Sequence, residues 1–266
     1  MSIRNPGFTI SSAVAWVIYA FLVLPTLIVI PMSFGQGSEL MFPPRQWGLS
    51  LYREMLDPTK GWLAASWNSL QIALGATTLA ILLGVPASYA LARRKSFIGL
   101  TRFLALSPIF IPTIVIALGL YLYFLWLGIN GTKFGLILAH AVLVGPFVLL
   151  TVGAALNQMD QNVEVASSVL GAGTLRIFLQ VVLPGLRTAI VSSAFFAFLL
   201  SFDEVVVAWF IGKGSNPTLP VKMYSSIQWE ISPVLAAISS ILVVLTTAIC
   251  IAVAFIQPNA AEPNNE

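Results

Sequence analysis

EVASSVLGAGTLRIFLQVVLP, residues Glu164 to Pro184, is a semi-polar stretch set between two strongly apolar runs. It is too polar to sit in a bilayer and too apolar to be an idle loop. The pattern predicts two short helices. Asn162 is placed to cap the first, and Gly171, where a left-handed residue is wanted, to end it. Thr174 is placed to cap the second, which is expected to stop before Pro184 because proline cannot donate to the helical ladder. Helices of about eight residues are not stable alone in water. Such a pair exposes apolar side chains, here Ala166, Val169 and Leu170, and so needs something to dock on.

The composition on either side says where this loop lives. The chain is 58% hydrophobic and 9% charged, with a mean hydropathy of +0.92. Soluble domains carry about 25% charged residues, so this is the composition of a membrane protein. Six apolar runs are long enough to cross a hydrocarbon core of about 30 Å, near 11–33, 68–92, 103–127, 134–157, 186–211 and 233–256. The fold class expected is therefore all-α integral membrane, one transmembrane domain over 1–257 with a loop at 158–185 and a disordered polar tail at 258–266. The first run is too long for a cleaved signal peptide and reads as an uncleaved span.

The net charge of +3 is best read as topology and gives no case for nucleic acid. Arg93, Arg94, Lys95 and Arg102 crowd the short segment between the second and third runs, which places that segment in the cytoplasm. With six spans, both termini and the Glu164 loop fall on the same side. In the long outer segment at 35–67, Trp47, Trp62 and Trp67 are favoured as markers of the outer membrane interface, although Trp47 to Tyr52 is also a possible partner surface.

Within the spans, the second run is rich in small residues: Ala73, Gly75, Ala76, Thr77, Thr78, Gly84 and Ala87. Small residues let helix backbones approach closely in lipid, so this span is expected at the centre of the bundle. Pro108, Pro112 and Pro146 mark kinks, either of moving helices or of static packing. His140 lies mid-span with no carboxylate in its own run; proton relay and hydrogen-bonded packing are both open to it. Cys250 is alone and reads as a small core residue; it cannot form an internal disulfide, and a lone thiol makes no metal site.

An ionisable group inside a membrane needs a reason. Asp203 and Glu204 sit in the fifth run, SSAFFAFLLSFDEVVVAWFIG, with no basic residue in that run to neutralise them. If the helix is continuous, Asp203 lies roughly 24 Å along it from Arg187. Ser193, Ala197, Ser201, Glu204 and Ala208 would then form a small polar stripe, with Asp203 among Phe196, Leu199, Val207 and Phe210. Carboxylates among aromatics suit an ammonium group, which gains from charge and from ring faces. The other reading is that one acid caps a helix or pairs with a neighbouring subunit.

The 164–184 stretch resembles the cytoplasmic loop signature of the permease subunits of ATP-driven (ABC) importers: EAA, three residues, Gly, nine residues, then Ile-x-Leu-Pro. Here the alanines fall on Ala166 and Ser167, the glycine on Gly171, and the end on Val181 to Pro184; the glutamate position is Val165, with Glu164 one residue earlier. The Asn68-Ser69 opening of the second run is similar to the same family. Residues 201–244 resemble its spermidine/putrescine branch, through Asp203, Glu204, Val205 to Val207, Leu219, Pro220, Lys222, Tyr224, Ser225, Ser232 and Pro233. The resemblance implies a type I importer permease of MetI-like architecture with six transmembrane helices in a bacterial inner membrane. It further implies a second, homologous permease, two cytoplasmic ATPases that carry the ATP and magnesium, and an extracytoplasmic substrate-binding protein.

On the same resemblance, Glu164, Ala166, Ser167, Gly171, Leu183 and Pro184 form the ATPase-coupling loop. The candidate substrate pathway is Asp203, Glu204, Phe202, Trp209 and Tyr224. No catalytic residue, metal ligand or cofactor site is expected in this chain. It lacks the G-x-x-x-x-G-K-[ST] phosphate loop, because Gly212-Lys213 has no earlier glycine at that spacing. An ion-coupled secondary transporter using Asp203 is the competing class, and it gives no reason for the docking loop. An intramembrane enzyme has too few histidines and cysteines to be credible.

Overall fold

The structure is a computed structural model that describes residues 6–37, 39–93, 98–212, 217–229 and 231–256. Arg94, Lys95, the turn at Lys213 to Asn216, Glu230 and the expected disordered tail lie outside the described residues, as does the side chain of Cys250. The helices are α1 (Pro6–Met32), α2 (Ser50–Leu56), α3 (Trp62–Arg93), α4 (Ile98–Phe110), α5 (Thr113–Trp126), α6 (Lys133–Gln158), α7 (Gln161–Val169), α8 (Thr174–Ile177), α9 (Leu183–Gly185), α10 (Arg187–Phe202), α11 (Val206–Ile211), α12 (Leu219–Trp229) and α13 (Val234–Ile256).

The chain divides into two compact units. The first comprises residues 1–63 and 225–266. In it α13 packs on both α1 and α2. The segment after α1 is pinned back on itself: Ser33 Oγ and Tyr52 OH share a 2.6 Å hydrogen bond, and the Gly48 N–H donates to the Phe34 carbonyl at 2.7 Å. Trp47 is exposed as expected of an interface ring, whereas Trp62 is 5% exposed. Trp62 therefore acts as a core residue at the start of α3 and corrects the reading of all three tryptophans as interface markers.

In the second unit, residues 64–224, α6 packs on α10 and α4 and approaches α3 closely. Small side chains set that distance. Ala73 and Ala76 are fully buried; a Cβ on Gly75 would meet Ile137 at 2.8 Å, and one on Gly84 would meet Val148 at 2.8 Å. Ser88 adds a hydrogen bond from Oγ to its own helix, at the Gly84 carbonyl (2.8 Å). One apolar cluster, with Ala80, Val85, Val148, Val152 and Leu156, fills one end of the unit. A second, with Ile72, Phe124, Leu136, Val207 and Ile211, fills the other.

Single helices lie on the first, second, fourth and sixth apolar runs: α1, α3, α6 and α13. The third run is not one helix. It turns through 108° between α4 and α5, at Ile111-Pro112, where Pro112 is the N-cap of α5. Pro108 and Pro146 stay inside α4 and α6. The fifth run is broken as well: α10 ends at Phe202 and α11 starts at Val206, with Asp203, Glu204 and Val205 between them. Among the described residues, three helices are long and apolar enough to cross a membrane, or up to five elements if each bent pair counts as one span.

A Gly84→Val substitution is expected to lower the thermal midpoint of the detergent-purified protein, by an overpacking cost of about 1–3 kcal/mol. Gly119→Ala should leave the midpoint unchanged, because a Cβ there meets nothing within 4 Å. Equal effects from both would show that the α3–α6 distance does not limit stability.

Candidate functional sites: a clamped loop and a broken span

The loop first. Its first helix, α7, is capped by Asp160, whose Oδ1 accepts the Asn162 N–H at 2.9 Å. Asn162 is thus the recipient of the cap and not the cap itself. Gly171 ends the helix at φ +86°. The N–H of Ala172 reaches the Ser167 carbonyl (3.1 Å) and the N–H of Gly171 reaches the Ser168 carbonyl (3.0 Å), the paired bonds of a Schellman stop.

The second helix departs further from expectation. Its N-cap is Gly173, and Thr174 makes no side-chain cap. The helix also does not stop before Pro184. It passes through a wide turn of π geometry at Phe178–Val182 and continues through Pro184 to Gly185. The π turn disrupts the regular i to i−4 pattern where the proline ring would otherwise clash.

Glu164 decides how this loop is held. Its carboxylate faces inward and accepts from Arg93 at the end of α3: Nε donates to Oε1 at 3.0 Å and to Oε2 at 3.2 Å, and Nη2 also donates to Oε1. Tyr89 OH donates to Oε2 at 3.0 Å. Both charged side chains are largely sequestered, at 17% and 12% exposure. A two-pronged guanidinium–carboxylate pair with a third donor is among the stronger polar contacts available to a protein. The Tyr89 ring also packs on Phe178, with centroids 5.1 Å apart. Below it, Ile177, Val182 and Leu186 are buried in the core cluster.

The opposite side of the loop is open. Val165, Ala166, Val169 and Leu170 are exposed, with Val169 at 81% and Leu170 at 87%. Gly171 and Pro184 are exposed, while Ser167 and Leu183 are half-buried. Glu164 and Val165 therefore have opposite fates on adjacent positions. The acid is spent inside the protein, and the valine sits on the outer face.

The second site is the break in the fifth run. Breaking a helix strands carbonyls on one side and N–H groups on the other. Here His140 of α6 and Glu204 take up two of them. The Nδ1 of His140 lies 3.1 Å from the Ser201 carbonyl and 2.9 Å from Ser201 Oγ. Glu204 Oε1 accepts the N–H of Val207 in the first turn of α11 at 3.0 Å. The Asp203 N–H closes α10 on the Leu199 carbonyl at 3.1 Å.

The stripe expected of a continuous helix survives only in part. Ser193, Ala197, Ser201 and Ala208 are buried, but Glu204 leaves the helix and Asp203 is exposed. Glu204 lines a cavity of about 200 Å³ together with His140 and Ser201. Trp209 and Tyr224 meet edge to face with centroids 5.7 Å apart. Phe202 stacks instead on Phe198 at 5.8 Å. Of the five proposed pathway residues, Asp203 and Glu204 share the break, Trp209 and Tyr224 are in contact, and Phe202 pairs with Phe198 instead.

Sequence reasoning missed the partnership of His140 with this break, and it missed Arg93 as the partner of Glu164. Two adjacent acids followed by three valines in an apolar run were the available signal, since Asp favours caps over helix interiors and β-branched residues are weak helix formers. Asn68 and Ser69 also have a role that only the structure gives. Ser69 Oγ accepts the Leu219 N–H at 2.7 Å, and Asn68 Nδ2 reaches the Pro217 carbonyl at 3.5 Å, tying α3 to the start of α12.

Comparison with known proteins adds independent observations. Residues 76–261 match the family described as "Binding-protein-dependent transport system inner membrane component". The chain is 31% identical, over 93% of its own length and 93% of the relative's, to the spermidine/putrescine transport system permease protein PotC of Escherichia coli strain K12. It is 30% identical to the putrescine transport system permease protein PotI of the same strain, over 84% of this chain and 82% of that one. It is also 31% identical to a putative 2-aminoethylphosphonate transport system permease protein, PhnU, of Salmonella typhimurium, over 79% and 80%. In fold it is similar to a chain of a bacterial ABC transporter involved in import of the polysaccharide alginate, with a TM-score of 0.73, 17% identity and coverage of 98% of this chain and 100% of that one. It is also similar to a chain of the MetNI methionine ABC transporter, with a TM-score of 0.59, 19% identity and coverage of 74% and 94%.

The clamp yields a prediction. Glu164→Gln removes the charge from a pair that is mostly shielded from water, and it should raise amide hydrogen exchange across α7 by about tenfold or more without unfolding α3 or α6. In a double-mutant cycle, Arg93→Gln should add little to Glu164→Gln. Additive effects would show that the two side chains are not a working pair.

Proposed function

Because this chain belongs to the family of inner-membrane components of binding-protein-dependent transport systems, and so is a membrane transport subunit and no enzyme, we propose that it is the permease through which an ATP-driven importer moves polyamines, or a closely related small cation, into the cytoplasm. The observation that carries the importer reading is α7. A nine-residue helix with an exposed apolar face is held to the end of α3 by a charge-assisted clamp. A short helix presented in this way suits a rigid handle for another protein.

In this reading the handle is gripped by two cytoplasmic ATPases, which bind the ATP and magnesium. A second, homologous permease completes the pathway, and an extracytoplasmic binding protein delivers the solute. Both termini and α7 lie in the cytoplasm, as the basic residues around Arg93 and Arg102 favour. ATP-driven closure of the ATPases moves α7 through α9, and the spans switch from inward-facing to outward-facing by alternating access. Ala166, Ser167, Gly171, Leu183 and Pro184 belong to the handle, and Glu164 fixes it.

The polyamine assignment draws support from the named substrates of the relatives and from the two acids at the break. Asp203, exposed at the end of α10, and the Trp209–Tyr224 pair offer charge and ring faces to a passing ammonium group.

Uptake of labelled spermidine and putrescine is expected to vanish when the gene is deleted, to return with it, and to be blocked by vanadate. Uptake that yields to an uncoupler but not to vanadate would replace the importer reading with ion coupling. Gly171→Val, which forces a branched side chain onto a left-handed backbone, should abolish uptake while the protein still reaches the membrane. Asp203→Asn should reduce uptake at unchanged abundance; full uptake would remove Asp203 from the pathway.

A further inference from the structure

The cavity beside the broken span is chemically lopsided. His140 is 1% exposed, and its Nδ1 points at the Ser201 carbonyl. Ser201 Oγ also lies 2.9 Å from Nδ1 and can donate or accept; in the tautomer whose Nδ1–H donates to the carbonyl, Nε2 of the neutral ring is left as an acceptor. That Nε2 is buried and has no hydrogen-bond partner. Glu204 uses Oε1 to cap α11, which leaves Oε2 outside that bond.

Among the described residues no lysine or arginine lines this space, and its remaining wall includes Thr113 beside Leu143, Val144 and Phe147. It measures about 200 Å³, far above the ~10–15 Å³ that one water requires. Two acceptors, one of them negatively charged, therefore face a chamber whose described lining offers only the neutral hydroxyls of Thr113 and Ser201 as further side-chain donors and no cation. An unpaired buried acceptor is costly, and a carboxylate in such a place calls for a cation.

We infer that Glu204 and His140 form a binding site for the end of a primary ammonium ion, with the carboxylate supplying the charge and His140 Nε2 accepting one of its N–H groups. The apolar wall takes the attached methylene chain. This deepens the cation-permease reading and rests on it. It moves the principal recognition from Asp203 to Glu204, and adds a histidine that the transport reading had left without a task. The site reads N–H donors as well as charge, so a quaternary ammonium of similar size should be refused.

The test uses the whole transporter, this chain with its partner subunits, in lipid nanodiscs, with putrescine, n-butylammonium and tetramethylammonium as probes. Putrescine and n-butylammonium should bind at least about tenfold more tightly than tetramethylammonium. Glu204→Gln keeps an oxygen for the Val207 N–H while removing the charge. His140→Asn keeps a donor at the place of Nδ1 while deleting the Nε2 acceptor. Each should weaken both amines by about tenfold or more, and His140→Asn should also shrink the preference over tetramethylammonium.

Failure of the site and failure of the polyamine reading separate cleanly. If cells show no polyamine uptake but n-butylammonium binding still depends on both residues, the site stands and the polyamine reading falls. If uptake is normal and both variants bind amines as the native chain does, the site is overturned and the transport reading stands. Equal binding of tetramethylammonium and n-butylammonium overturns the role of His140. Absence of any amine binding to the native complex means that the cavity holds water only, and overturns the proposal. Should His140→Asn fail to reach the membrane, Glu204→Gln alone decides.

Discussion

A helix interrupted inside an apolar body must have its stranded backbone groups answered by side chains, because lipid offers no water to do it. The break at Asp203 to Val205 is the point where this chain meets that demand. His140 takes the Ser201 carbonyl, Glu204 takes the Val207 N–H, and the Asp203 backbone closes α10 on itself. The polar groups that make the site are thus the same groups that make the break tolerable. Remove either and the chain must re-form a straight helix or leave a bare amide in hydrocarbon, at a cost of several kcal/mol.

The rest of the second unit is arranged so that this break has something firm to lean on. Glycine and alanine on α3 let α6 come close, and α6 carries His140. The same two helices support the loop at their other end, where Arg93 closes α3 and the cluster around Val152 and Leu156 receives Ile177 and Val182. The proposed ligand site and the proposed docking loop are therefore mounted on one pair of helices. The π turn at Phe178–Val182 lets the loop run into α10 through a 73° bend without surrendering its buried face.

How much of this could be read from the residues depends on the kind of signal. Hydropathy located the apolar runs, because crossing lipid demands length and greasiness and little else. It could not see the breaks, since a window of apolar residues has the same mean whether the backbone is continuous or not. The stop at Gly171 was legible because only one residue type takes φ +86° cheaply. The starts were not: Asp160, Asn162, Gly173 and Thr174 are all acceptable caps, and the choice is made by tertiary contacts. Long-range pairs such as Arg93 with Glu164, or His140 with Ser201, leave no local pattern at all. The tryptophans show the same limit, because Trp47 and Trp62 look alike in sequence and differ only in what covers them.

One feature of the first unit bears on biogenesis. The apolar stretch of α1, Ser12–Met32, has no fully buried residue in its hydrophobic window, and the matched family region begins only at residue 76. Its place in the bilayer is fixed by transfer from water to lipid, at about −0.3 to −0.6 kcal/mol for each central leucine, isoleucine, valine or phenylalanine. Such a helix can be handed to the insertion machinery as it emerges from the ribosome, before α13, its packing partner, has been made. Along that stretch the physical demand is for greasiness more than for particular side chains, whereas at Gly84 the close approach of Val148 leaves no room for a larger one.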